Sequence, residues 1–330
     1  MTEQNDKIFA RRQLLARAGK AGISIAAAGL ISYRLYDRYG PSTGVDAESV
    51  VTLPDFSVPH KAGETMSIVK GPDRKATVNK AIELLGGIEG FVKRDETVAI
   101  KPNVAFASSP MLGATAHPEL VAEVVRLSYK AGAKKVIVTD NPINDPASCF
   151  TLSGIGKAAS QVDAKVVLPK DHLFRHTTLE GGTLIRNWPV FFGPFENVDK
   201  LIGISPVKHH ARAGASMAMK NWYGLLGGRR NVFHQDINTI IAELSMMVKP
   251  TLVILDGTEV MITNGPTGGS VSDLKRANTL LVSTDMVAAD SYGCTLLGLK
   301  VSDLPYLVKA EKAGAGTTDY ESLKPVFGTV

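Results

Sequence analysis

Cysteine is nearly absent: Cys149 and Cys294 are the two in 330 residues, and they form no CxxC pair. Thiolates of this chain therefore cannot build an iron–sulfur cluster or a structural zinc site. At most one disulfide is available, and two lone cysteines more often behave as small buried hydrophobes. Aromatic residues make up only 6% of the chain, and no internal repeat or low-complexity tract occurs. No apolar run reaches the roughly 20 residues that a membrane-spanning helix needs. Acidic residues are missing locally as well, with no Asp or Glu between Lys200 and Gln235.

The charge is unevenly placed. The net charge is +5, and residues 1–40 account for +4 of it, with seven basic side chains (Lys7, Arg11, Arg12, Arg17, Lys20, Arg34, Arg38) against three acidic ones. The remaining body is nearly neutral and lacks the electrostatic footprint of a nucleic-acid binder. The basicity belongs to a leader. Ala10-Arg11-Arg12-Gln13-Leu14-Leu15 places an arginine pair ahead of the apolar, Ala- and Gly-rich run Ala21–Tyr33. A charged segment followed by a short, mildly apolar one is the organisation of an export signal, and the paired arginines point to the twin-arginine machinery as a partner. Residues 1–40 are thus expected to be a twin-arginine leader or an uncleaved membrane anchor. The body is then periplasmic or otherwise extracytoplasmic. Because such cargo is exported folded, a bound cofactor is a reasonable expectation.

Gly and Pro between residues 41 and 64 predict an extended linker, and residues 65–330 read as a single α/β domain. Strand signals at Thr65–Lys70, Thr97–Ile100, Lys135–Thr139, Lys200–Ile204, Thr251–Leu255 and Asn278–Ser283 alternate with helical ones. The helices are expected at Arg74–Leu85, Pro118–Ala131, Ser216–Leu226, Asp236–Val248, Asp285–Leu297 and Asp303–Ala313. This alternation predicts a mainly parallel sheet with helices on both faces. Thr183–Val190, with Asn187-Trp188-Pro189, predicts a small hairpin insertion within about residues 170–200.

Ligands of open α/β sheets sit beyond the carboxyl ends of the strands. The polar residues at those ends are Lys101 and Asn103, Asp140 and Asn141, Lys208 to His210, and Asp256. The acid-free stretch adds Lys200, Arg212, Lys220, Arg229, Arg230 and His234, six fixed cations in all with Lys208, together with Gly224, Gly227 and Gly228. Guanidinium and ammonium groups match phosphate or carboxylate oxygens, so an anionic small molecule is the expected ligand. A solvated basic face paired with acids from elsewhere is the alternative. His209 and His210 are adjacent, so on a strand they point to opposite faces and at most one faces a pocket. One of them with His234 and Asp256 could hold a divalent metal, although no HExxH-type spacing supports this. Gly268, in Asn264-Gly265-Pro266-Thr267-Gly268-Gly269, can turn backbone N–H groups toward an anion.

An ordered set of pieces resembles the bacterial and archaeal family called domain of unknown function 362. They are Ile100-Lys101-Pro102-Asn103, Gly132-Ala133-Lys134, Val207-Lys208-His209-His210 and Met219-Lys220-Asn221-Trp222-Tyr223-Gly224. Arg229-Arg230 leading to His234, Asp256-Gly257, Gly265-Pro266-Thr267-Gly268, and Asp285 with Asp290 complete it. The resemblance implies that these polar positions share a site, and it carries no settled reaction. Many relatives have a cysteine-rich ferredoxin-like segment near the C-terminus, which this chain lacks.

The resulting expectation is a pocket where Lys101, Asn103, Lys208, Lys220, Asn221, Arg229 and Gly268 hold a phosphate or carboxylate. His209, His234 and Asp256 are the candidate catalytic groups, and His209, His234, Asp256 and Asp290 the candidate metal ligands. Two functions remain open: a metal- or anion-dependent enzyme, and a non-catalytic binding or accessory protein serving an anionic ligand or a redox partner.

Overall fold

The computed structural model of the chain describes residues 51–59 and 65–330, together with helical positions scattered between residues 19 and 34. The Arg11-Arg12 pair, His60 and most of the 41–64 segment lie outside the described residues. The chain divides into a unit of residues 1–44 and a unit of residues 45–330.

The larger unit is built on one sheet of nine strands: β1 (Met66–Lys70), β2 (Thr97–Pro102), β3 (Lys135–Thr139), β4 (Lys165–Val167), β7 (Lys200–His210), β8 (Gly214–Ser216), β9 (Leu252–Met261), β10 (Leu274–Ser283) and β11 (Val326–Thr329). Its order is β11-β1-β10-β9-β7-β2-β3-β4, with β8 folded back on β7. β9, β7, β2, β3 and β4 pair in parallel, while β10 runs antiparallel to both β9 and β1. The expected mainly parallel sheet is therefore present. So is the hairpin, as a separate two-stranded sheet of β5 (Phe174–Thr177) and β6 (Trp188–Phe191).

Helices cover both faces. On one lie α1 (Arg74–Leu84), α2 (Pro118–Lys130), α3 (Pro146–Leu152) and α4 (Ile155–Ser160). They bury Val78, Leu120, Val124 and Phe150 against Val98, Ile100, Ile202 and Ile254. The other face carries α5 (Ala218–Asn221), α6 (Ile237–Met247), α7 (Met286–Leu297) and α8 (Pro305–Lys312). There Trp222, Ile240, Ala288 and Leu307 pack with Ala99, Leu201, Val253 and Leu255. Alternate strand residues feed opposite cores, as the period of two requires. Each buried aliphatic side chain contributes about 1.5–3 kcal/mol through its removal from water.

The stretch expected as linker supplies Leu53 and Phe56 to this core, and Asp55 bridges to Lys249. Cys149 and Cys294 are both buried thiols. Burial raises the Cys149 thiol to about 11 and the Cys294 thiol to about 12. They lie in opposite cores, so no disulfide joins them.

From β2 the chain steps outward through β3 to β4, then returns to lay β7 on the other side of β2. The strand order thus reverses between β2 and β7. Loops leave such a point in opposite directions and open a crevice at the carboxyl ends.

Candidate functional site

A cavity of about 150 Å³ occupies that crevice. Its polar lining comes from Asn103 after β2, Asp140 and Asn141 after β3, and Lys208 and His210 on β7. Lys220, Asn221, Tyr223, Arg230 and His234 follow from the acid-free stretch. Phe106 and Ile143 form part of its apolar wall. Asp140 is the sole carboxylate among these lining residues.

Lys101 lies beneath the lining. It shares a sheet face with Ala99 and is fully buried. Its Nζ is 2.6 Å from Asp140 Oδ1, and it donates to Asn221 Oδ1 at 2.8 Å and to the Pro102 carbonyl at 3.2 Å. Burial pushes the Lys101 pKa down, and the Asp140 carboxylate opposes that shift. Asp140 also accepts from the backbone N–H groups of Val104 and Asn141, which locks the β2 and β3 ends together. Gly224 makes this pairing possible. A Cβ there would come within 2.3 Å of Asp140 Oδ1 and 3.0 Å of Lys101 Nζ. Asn221 joins the strands by donating to the carbonyls of Lys101 and Ile204.

Lys208 is just as deeply buried but has no carboxylate partner among the described residues. Its Nζ donates to the Ala114 carbonyl at 2.5 Å and to Asn103 Oδ1 at 3.3 Å. Burial, reinforced by the charge of Lys220, lowers its pKa to about 7. Lys220 sits on α5 with its ammonium 5.1 Å from the centre of the Tyr223 ring, a cation–π contact. Its pKa falls to about 8 through burial and then the Arg230 guanidinium. No oxygen acceptor meets the Lys220 ammonium among the described residues.

Arg230 positions loops. It donates to the carbonyls of Asn141 at 2.9 Å, Leu226 at 3.2 Å and Pro142 at 2.6 Å. Tyr223 donates its hydroxyl to the Arg230 carbonyl and lies 3.1 Å from His234 Nδ1. His210 Nδ1 accepts from the backbone N–H groups of Arg212 and Ala213, which fixes it unprotonated. Burial and then the Lys220 charge push its pKa down to about 3. The His234 pKa is also lowered, first by burial and next by Lys220. The β5–β6 hairpin props this wall, with the Trp188 ring centre 4.4 Å from that of Phe233 at a tilt of 56°, and with Trp188 donating to the Gly227 carbonyl.

Of the expected site residues, Asn103, Lys208, Lys220, Asn221 and His234 line the cavity, and Lys101 supports it from below. Five others do not reach it. His209 faces away, where its Nδ1 accepts from the Gly265 N–H at 3.2 Å, and His210 takes the inward position. Arg229 is exposed, and Arg230 replaces it. Gly268 lies on another turn beside Met261. Asp256 belongs to the opposite sheet face with Ile254, and it pairs with Arg74 of α1 at 2.7 Å. Asp290 accepts from the Ala218 and Met219 N–H groups and holds the start of α5. Burial raises its pKa to about 8. The metal set of His209, His234, Asp256 and Asp290 is therefore dispersed. Among the described residues no three His, Cys, Asp or Glu side chains gather closely enough to hold an ion.

Asp140, His210 and Arg230 stand among the polar residues that the sequence brings forward, and Tyr223 stands in a family piece, yet the expected site set leaves all four out. Asp140 follows a buried strand, and the other three adjoin residues already singled out. His117, set before α2 and flanked by Arg74 and Asp256, lies with the Asp256 group.

The family model described as a domain of unknown function, DUF362, matches residues 98–295. A thylakoid-associated protein of Synechocystis sp. is 24% identical over 266 residues, covering 76% of this chain and 78% of that protein. A crystal structure of a Thermotoga maritima protein matches at 11% identity and a TM-score of 0.40, over 69% of this chain and 60% of that one.

Proposed function

Given that the chain belongs to the domain of unknown function 362 family, we propose that its cavity binds a small ligand bearing a carboxylate or phosphate. The observation that carries this reading is the Lys220 ammonium, which borders the cavity without an oxygen acceptor among the described residues. Lys208 and Arg230 act on it as further cations, and Asp140, the sole carboxylate among the described lining residues, is already committed to Lys101. Close like charges repel by about 1 kcal/mol per pair in water and by more when desolvated. An anion against Lys220 relieves that repulsion and supplies the missing acceptor. The cavity is small, about 150 Å³, which suits a short acid or phosphate.

Titration calorimetry with oxalate and with inorganic phosphate tests this reading. Lys220→Met is expected to weaken binding by at least about tenfold, in line with the 1.5–3 kcal/mol of a charge-assisted hydrogen bond. Equal affinity in the two proteins, or no binding of either anion by the wild type, counts against it.

We also propose that the protein acts outside the cytoplasm. The support is the Arg11-Arg12 pair ahead of the apolar run Ala21–Tyr33. Replacing both arginines by lysine is expected to hold the protein in the cytoplasm, as read by fractionation and immunoblotting. Equal extracytoplasmic amounts of both versions would defeat the twin-arginine assignment.

A further inference from the structure

Two buried lysines border the site, and their acceptors set them apart. Lys101 has three oxygen acceptors, one of them the Asp140 carboxylate 2.6 Å away. An ammonium has three N–H bonds to give, so Lys101 is satisfied as a cation. Among the described residues Lys208 has two acceptors, the Ala114 carbonyl and Asn103 Oδ1, both uncharged. A neutral amine has two N–H bonds and one lone pair, so these acceptors saturate the neutral form. They leave the third tetrahedral position of the nitrogen unused, and Lys208 borders the cavity. The fixed cations around it act in the same direction. After burial itself, Lys220 disfavours a proton on Lys208 most, Asp140 partly opposes it, and Lys101 adds to it. A lysine desolvated beside another cation is a known way of activating an amine as a nucleophile.

We propose that Lys208 condenses with the carbonyl group of a small anionic oxo compound, a 2-oxo acid or a short phosphorylated ketone, to form a protonated imine. This rests on the anion-binding reading above, since Lys220 is the group that holds the substrate's charge. The amine lone pair adds to the carbonyl carbon and gives a carbinolamine. The carbonyl oxygen then leaves as water, carrying one amine hydrogen and one proton taken from solvent. The nitrogen keeps its other hydrogen for the Ala114 carbonyl or Asn103 Oδ1. No oxidant or reductant enters the step. The iminium places positive charge beside the substrate's anionic group, and it is an electron sink for the pair released when a bond to the neighbouring carbon breaks. The chemistry offered is therefore proton exchange, carbon–carbon cleavage or decarboxylation at that carbon. Phe106, its ring centre 5.2 Å from Lys208 Nζ, shields this corner from water.

Borohydride trapping tests the proposal on the full chain. The protein is incubated with pyruvate, or separately with dihydroxyacetone phosphate, reduced with sodium borohydride, digested and mapped by mass spectrometry. With pyruvate, the peptide carrying Lys208 is expected to gain the mass of one pyruvate less one oxygen atom. At pH 7 a lysine of pKa about 7 holds a fraction of neutral amine roughly a thousandfold above that of a surface lysine. Lower nucleophilicity offsets part of this, and label on Lys208 should still exceed that on any other lysine by about tenfold. Oxalate, which binds the pocket without a reactive ketone, should block the label. Lys208→Arg should abolish it while still binding oxalate, and Lys208→Met serves if the arginine variant does not fold. Label with either carbonyl compound supports the imine, and which one reacts tells carboxylate from phosphate. Wild type that binds oxalate but leaves Lys208 unlabelled by both overturns the imine and leaves the pocket reading standing. Label spread evenly over the surface lysines has the same effect. Failure to bind oxalate or phosphate at all removes both.

Discussion

Three lysines with one side-chain chemistry occupy three environments around the cavity, and the acceptors decide what each can do. Lys101 is neutralised by Asp140, Lys220 looks for an oxygen, and Lys208 is held by two carbonyl-type oxygens that ask for no charge. The consequence for stability has a definite sign. Lys208 and Lys220 have folded pKa values of about 7 and about 8, below the value near 10.4 of an unfolded chain. Between those limits the unfolded state binds more protons, so the unliganded protein gains stability as pH rises from about 7 to about 10. Below about pH 7 both lysines are protonated in either state, and the folded protein carries the full cost of burying their charge. Lys208→Met removes its share of that cost. The variant is expected to be more stable than wild type by about 1–3 kcal/mol near pH 6, as for other buried charges replaced by apolar groups. The advantage should shrink toward pH 10. Urea unfolding of both proteins at three pH values measures it, and a variant equally destabilised at every pH contradicts the assigned environment of Lys208.

At the scale of the elements, strand and helix periodicity placed the architecture correctly, and the errors fall where elements end. Lys101-Pro102-Asn103 reads as a strand stop, yet β2 continues to Pro102 because Lys101 and Pro102 still register against Gly203 and Ile204 of β7. β7 reads as ending at Ile204 but extends to His210, where β8 folds back on it. Its final pair decides the site, because adjacent strand residues face opposite ways and a choice of His209 over His210 inverts the answer. The same one-residue slip separates Arg229 from Arg230. The helix expected over Ser216–Leu226 is regular only through Asn221 and then tightens into a 3-10 turn over Trp222–Leu225. That irregularity brings Gly224 against the Lys101–Asp140 pair, a contact across 84 to 123 residues of sequence that no local pattern encodes. α3 and α4, short and rich in small residues, carry too little periodicity to be read. The convergence of Lys101, Asn103, Lys208 and Lys220 was legible for a different reason. It follows from parallel strands delivering their carboxyl ends to one edge.

For the molecule as a whole, the position of Asp256 separates sheet edge from sheet face. Its strand, β9, lies beside β7, and Pro206 registers with Asp256, so strand order alone would put its carboxylate at the pocket. The pleat sends it the other way. Leu252 and Ile254 share its side and pack with α1 and α2, whereas Ala99, two residues before Lys101, packs with Trp222 on the opposite side. Asp256 is buried and holds Arg74 Nε at 2.7 Å, while Glu259 meets the same guanidinium at 3.5 Å. It also accepts from the Thr258 N–H, which fixes the chain where β9 passes over Gly257. Its work is therefore to tie α1 to the sheet. Asp256→Asn keeps the shape and the bond to Thr258 but leaves the Arg74 charge with one weaker partner. The expected cost is about 1–3 kcal/mol in urea unfolding, the range for a charged hydrogen bond lost from a largely buried site. Oxalate affinity, measured by calorimetry where the variant is folded, should stay within about threefold of wild type, because the change lies across the sheet from Lys220. Loss of oxalate binding with stability unchanged would put Asp256 among the ligand-holding groups, and the site would then have to be built around both faces of the sheet instead of the crevice between β2 and β7.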